Sequence, residues 1–137
     1  MKMFNYEIDM FLIFLFEQAA NAKDSRMRTR FRNLALEHKK LVDSERIDLA
    51  KQYSYKDENG EAQTVEKEDG SSAFKIKDQE AFAKEYSILM NEEFIIEETE
   101  ERKDMLNSIR NIILNTEATF KGEEALIYDR YCDIVES

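Results

Sequence analysis

The chain has 137 residues, 42 % of them hydrophobic and 36 % charged, and a formal net charge of -10. That length suits one domain with a real core, and the acidic balance excludes general affinity for nucleic-acid phosphate, which such a surface repels. No proline and only three glycines favour long uninterrupted helices, and a lone cysteine, Cys132, excludes an intramolecular disulfide and points to a reducing compartment.

Asn5 to Ala22 reads as the first helix. Ile8, Phe11, Leu12, Leu15, Phe16 and Ala19 fall on one apolar stripe, and Ile13 and Phe14 widen it beyond what one neighbour needs. Either this helix is central to the core or it also meets another chain, which leaves a homodimer through it open. Its apolar run, Met10 to Phe16, is too short to span a bilayer. Acidic Glu7 and Asp9 precede that run, unlike the basic start of a signal peptide. A soluble, cytoplasmic protein with no membrane contact is expected.

A short polar break, Lys23 to Ser25, lets the next helix fold back antiparallel. That helix is predicted from about Ser25 to Tyr53, with Asp24 or Ser25 as its N-cap. Met27, Phe31, Leu34, His38 and Leu41 recur at helical spacing and form its apolar face. The stretch Lys23 to Lys40 carries seven basic residues against two acids, leaving about fifteen net negative charges on the rest of the chain. Arg26 and Arg30 form one i,i+4 row, Arg28 and Arg32 another. Three readings of this cluster stand: ion pairs with the chain's own acids, recognition of an acidic partner or of phosphate beside it, and sequence-specific nucleic-acid reading. The last has little support, because Phe31 is the sole interleaved aromatic.

Asn59-Gly60 and Asp69-Gly70 are turn signals. Thr64-Val65 and Phe74 to Ile76 are predicted to pair as a short hairpin, giving a lobe over residues 57–77 that projects from a single domain, 1–137. Asp78 caps a third helix to about Asn91. Phe94, Ile95 and Ile96 follow, flanked by six glutamates, and read as a short strand or extended connector. Thr99 is the expected cap of a fourth helix with Met105, Leu106, Ile109, Ile112 and Ile113 inside. Lys121-Gly122 breaks the chain, and Glu123 to Val135 forms a last helix with Ala125, Tyr128, Cys132 and Val135 inward. The fold class expected is mainly α: a small bundle of about five helices with a β-hairpin insertion.

Chemistry-bearing motifs are absent. Three dispersed glycines build no phosphate loop, and there is no nucleophile elbow, zinc pattern or calcium loop. His38, the only histidine, sits on an apolar stripe and reads as a core residue. Cys132 reads as a small hydrophobe. The glutamates of 92–101 have the type of a hard-cation site but no recognised ligand order, so a solvated charge run is the simpler reading. No cofactor, metal ligand or catalytic residue is assigned, and a non-enzyme is expected.

SRMRTRF (Ser25 to Phe31), KDENG (Lys56 to Gly60), FKIKDQEAFAKEY (Phe74 to Tyr86), LMNEEFIIE (Leu89 to Glu97) and GEEALIYDRYC (Gly122 to Cys132) stand in an order that resembles a domain-of-unknown-function family. Its members are small proteins encoded by phages and prophages of Gram-positive bacteria. The similarity covers nearly the whole chain. It implies phage origin and expression in the cytoplasm of the bacterial host; it implies no activity.

Small acidic phage proteins without a catalytic constellation work by binding. The function expected is therefore that of a counter-defence or host-takeover inhibitor, a mimic of DNA that occupies a basic nucleic-acid groove on a bacterial effector. An RNA-guided nuclease is the sharpest candidate, which makes the chain anti-CRISPR-like. The partner-binding residues expected are Glu92, Glu93, Glu97 and Glu98 around exposed Phe94 and Ile95, with Arg26, Arg28, Arg30 and Arg32. The alternative is a virion accessory or tail-assembly protein that self-associates through its first helix.

Overall fold

The computed structural model describes all residues, 1–137. It is 60 % helical, mainly α with a minor β part, as the helical spacing and the lack of proline predict. The chain forms two compact units: residues 1–38 with 93–137, and residues 39–92. The lobe predicted at 57–77 lies within the second.

The first unit begins with strand β1 (Lys2–Phe4) and a 3-10 turn (Asn5–Glu7), then helix α1 (Ile8–Glu17). The predicted first helix is thus shorter at both ends. Its C-terminal end is stopped by side chains: Gln18, in an extended conformation, donates its Nε2 to the Phe14 carbonyl at 3.0 Å. Helix α2 (Ala22–Gln52) starts three residues before the predicted position. Asn21 caps it, its Oδ1 accepting the Asp24 N–H at 2.8 Å. Asp24 therefore lies inside the first turn and is free for another task. Residue pairs Phe11–Phe31 and Leu15–Arg28 show α1 and α2 running antiparallel.

Strand β4 (Glu93–Ile95) pairs antiparallel with β1, Met3 opposite Phe94. No strand was expected at residues 2–4; β1 becomes visible only through this long-range pairing. Helix α4 (Lys103–Leu114) begins later than a Thr99 cap implies, because the Arg102 N–H closes a separate turn onto the Thr99 carbonyl at 3.0 Å. Helix α5 (Glu123–Glu136) starts at Gly122, whose φ of 61° with ψ of -136° is accessible only to glycine. The core joins Phe11, Leu15, Phe31, Leu106, Ile109, Ile113, Ile134 and Val135, all fully buried. On α5 the inward face centres on Tyr131, Ile134 and Val135, with Tyr128 and Cys132 at its margin, a rotation from the face predicted.

In the second unit α2 continues from Lys39, and Leu41, expected inside, is exposed. Strands β2 (Thr64–Glu66) and β3 (Ser72–Phe74) form a hairpin where one was predicted, Val65 opposite Ala73, but its second strand lies two residues earlier than Phe74 to Ile76, and Ile76 bridges Ser54 instead. Its turn is secured by Asp69, whose Oδ1 accepts the Ser71 N–H at 2.9 Å. Helix α3 (Gln79–Met90) is capped by Asp78, which accepts the Ala81 N–H at 3.0 Å, as expected.

Candidate protein-interaction surfaces

The residues singled out by sequence separate into engaged and free groups. Strand alternation turns Phe94 inward between outward-facing Glu93 and Ile95. Phe94 is buried and stacks on His38, ring centroids 4.2 Å apart and 4° from parallel. It is therefore a core residue and not the exposed anchor expected. His38 completes this contact with a ring nitrogen 2.7 Å from Asn5 Oδ1. Glu93 meets Lys2 at 3.4 Å and Glu98 meets Arg110 at 2.8 Å. The Arg110 guanidinium also holds the Glu98 carboxyl below its usual range. Glu92, Ile95 and Glu97 are exposed. Half of the expected acidic array thus belongs to the fold's own ion pairs.

The arginines also divide. Arg28 is half-buried and donates from Nη1 to the carbonyls of Gln18 at 2.7 Å and Leu15 at 3.1 Å, with its guanidinium 4.8 Å from the Phe16 ring centroid. A cation at those carbonyls closes the negative end of α1. Arg26, Arg30 and Arg32 are exposed and make no ion pair, so the internal network expected for the cluster is not what holds them.

One half-buried acid, Glu7, and one buried acid, Asp24, escaped the sequence reading. Glu7 takes a two-pronged contact from Arg130, 2.7 and 3.0 Å, and also accepts the Phe4 N–H at 2.8 Å. Burial pushes its carboxyl up, but these donors outweigh it and leave the pKa lowered. Asp24 is held down by hydrogen bonds from Ser108 and then Asn111, the latter at 2.7 Å, against the opposing effect of burial. It ties α2 to α4. Nothing in the local sequence marks either pairing, since the partners lie 123 and 87 residues away.

The breadth of α1's stripe has a different outlet. Ile8, Phe11 and Leu15 face the core, while Met10, Ile13 and Phe16 are exposed. Tyr6, Leu126 and Ile127 are exposed as well, Leu126 by 73 %. Two adjoining grooves result, of about 380 and 350 Å³, sharing Met10, Ile127 and Tyr131. The first has an aromatic floor: Phe120 stacks on Tyr128 at 4.2 Å, and Phe14 packs against Phe120, Tyr128 and Tyr131. The Tyr128 hydroxyl donates to the Ile113 carbonyl at 2.8 Å, and burial, aided by Cys132, pushes its pKa up to about 12. The second groove is walled by Tyr6, Leu126 and the Glu7–Arg130 pair.

Acids also line this apolar ground. Glu17 and Glu124 stand on the wall of the first groove. Asp9, Glu123, Asp129, Asp133 and Glu136 are further exposed acids on the same two helices, whose single base, Arg130, is already paired with Glu7. No cluster of three or more His, Cys, Asp or Glu is arranged to hold a metal ion, and no helix is long and apolar enough to cross a membrane. Against family models, curated proteins and solved structures alike, the chain finds no match.

Proposed function

We propose that this chain is a non-enzymatic binding protein of phage or prophage origin that docks on a basic protein of the bacterial host. The observation that carries the reading is the apolar ground between α1 and α5 with Glu17 and Glu124 on its wall. An apolar centre inside a charged rim is the anatomy of a protein-binding patch, and a contiguous patch of this kind is uncommon on a surface without a partner. The rim's sign selects a basic partner and speeds its encounter. A host effector with a phosphate-binding channel is such a partner, and an RNA-guided nuclease fits the description. Occupying that channel excludes guide or target nucleic acid, which is the counter-defence role.

The test is a binding titration of the purified chain against a panel of bacterial nucleases, with and without guide and target nucleic acid. Submicromolar binding that nucleic acid displaces, and that weakens with added salt, is expected. Binding that nucleic acid leaves untouched removes the channel from the reading, and failure on all basic effectors removes the reading itself. A virion accessory or tail-assembly role is the second reading, favoured by exposed Tyr6, Met10 and Ile13 at the start of the chain's apolar surface. A pull-down from infected cells that yields phage structural proteins instead of host effectors selects it.

A further inference from the structure

We infer that the α1/α5 groove receives an amphipathic, basic α-helix of the partner, a deepening that rests on the binding reading above. Three features of the groove identify this occupant. Its lining consists of side chains from helices and a loop, with no strand edge to offer a ladder of backbone donors and acceptors. An extended segment laid there leaves its own N–H and C=O groups unsatisfied, whereas a helix satisfies them internally. Tyr6, Met10 and Ile13 recur at steps of four and three along the α1 side. A partner helix with apolar residues at i, i+3 or i+4, and i+7 packs its ridge against such a row.

Charge then chooses among helices. Glu17 and Glu124 line the first groove, and the one base in the lining of either groove, Arg130, is paired with Glu7. A second copy of this chain brings the same acids to the same place, so a two-fold contact opposes carboxylate to carboxylate. An anionic lipid surface meets the same repulsion. A helix with lysines or arginines flanking its apolar stripe meets attraction instead. The two adjoining grooves, joined at Met10 and Ile127, provide seats for two successive apolar anchors.

The probe is a fluorescein-labelled synthetic 18-residue peptide with leucines at i, i+4, i+7 and i+11 and lysine or glutamine elsewhere. Its control is a peptide of the same composition with the leucines scrambled off one face. Fluorescence anisotropy against the full chain is expected to favour the ordered peptide at least tenfold. Met10→Gln with Leu126→Gln keeps the charge and touches only exposed side chains, and is expected to weaken binding by about tenfold or more. Ile13→Gln serves as a second variant if circular dichroism shows that the pair disturbs the fold. Glu17→Gln with Glu124→Gln is expected to lower affinity severalfold and flatten the salt dependence. Glu97→Gln, which lines neither groove, is expected to change it less than twofold.

Equal binding of ordered and scrambled peptides, no binding at about 100 µM peptide, or indifference to the groove variants overturns the inference. So does a dimer in sedimentation that Met10→Gln with Leu126→Gln dissociates, or binding of phosphatidylcholine vesicles in place of peptide. A nuclease bound equally by wild type and groove variants sinks the groove assignment and leaves the binding reading standing. Seating of the ordered peptide without capture of any basic effector sinks the reading and leaves the groove.

Discussion

Replacing Phe94 with alanine separates a core residue from an interface anchor. The ring is 6 % exposed, lies parallel to the His38 imidazole at 4.2 Å, and sits opposite Met3 in the β1–β4 pair. Phe→Ala at buried sites costs about 3–5 kcal/mol, and an aromatic pair contributes about 0.5–1.5 kcal/mol within such totals. The host sheet has only two strands, each three residues long, so the site can collapse partly onto the vacancy. About 3 kcal/mol is therefore expected, a large share of a stability that for domains is of order 5–15 kcal/mol. At about 3–5 °C per kcal/mol for this size, the melting temperature falls by about 10–15 °C. Ile95→Ala on the same strand is the control: the side chain is 60 % exposed, and its loss should stay within about 0.5 kcal/mol. Urea and thermal unfolding followed by circular dichroism read both. A Phe94→Ala protein melting within about 2 °C of wild type would falsify the core assignment and return the ring to the surface role its flanking glutamates suggest.

Arg28→Ala should cost about 2 kcal/mol, because it releases two carbonyls at the end of α1. Arg26→Ala with Arg30→Ala should leave the urea midpoint nearly unchanged, since both side chains are exposed and unpaired; the reverse ranking would discredit the division of the cluster. Glu7 and Asp24 both have lowered carboxyl pKa values in the folded state. Their stabilisation is complete above the unfolded value of about pH 4 and is lost as pH falls through the folded value. Urea midpoints between pH 6 and pH 3 should thus fall less steeply in Glu7→Gln with Asp24→Asn than in wild type; parallel curves would contradict the assignment. With a net charge of -10, the chain should give no gel shift with duplex DNA at submicromolar protein and physiological salt, and a shift would revive the nucleic-acid reading.

Helix content, the two glycine turns and the first strand of the hairpin were legible in the sequence, because each rests on local rules. Apolar residues at steps of three and four mark a helix wherever it packs, and Asn-Gly or Asp-Gly marks a turn whatever surrounds it. Asp78 as a cap and the inward face of α4 follow in the same way. Local rules also registered that α1 is too apolar for one neighbour, without saying where the excess goes. Only the tertiary structure decides that, by spending Ile8, Phe11 and Leu15 on the core and leaving Met10 and Ile13 beside Ile127 of α5. Leu126-Ile127 next to Tyr128 and Tyr131 was the corresponding signal on α5, a stripe wider than the single face read from it. Charge shows the same split. Composition determines that the surface is acidic, but pairing in three dimensions decides which charges are free. It withdraws Glu7 into a contact with Arg130 and leaves Arg26 and Arg30 in solvent. Phe94 turned inward for the same reason: its neighbours in sequence are glutamates, but its neighbours in space are Met3 and His38.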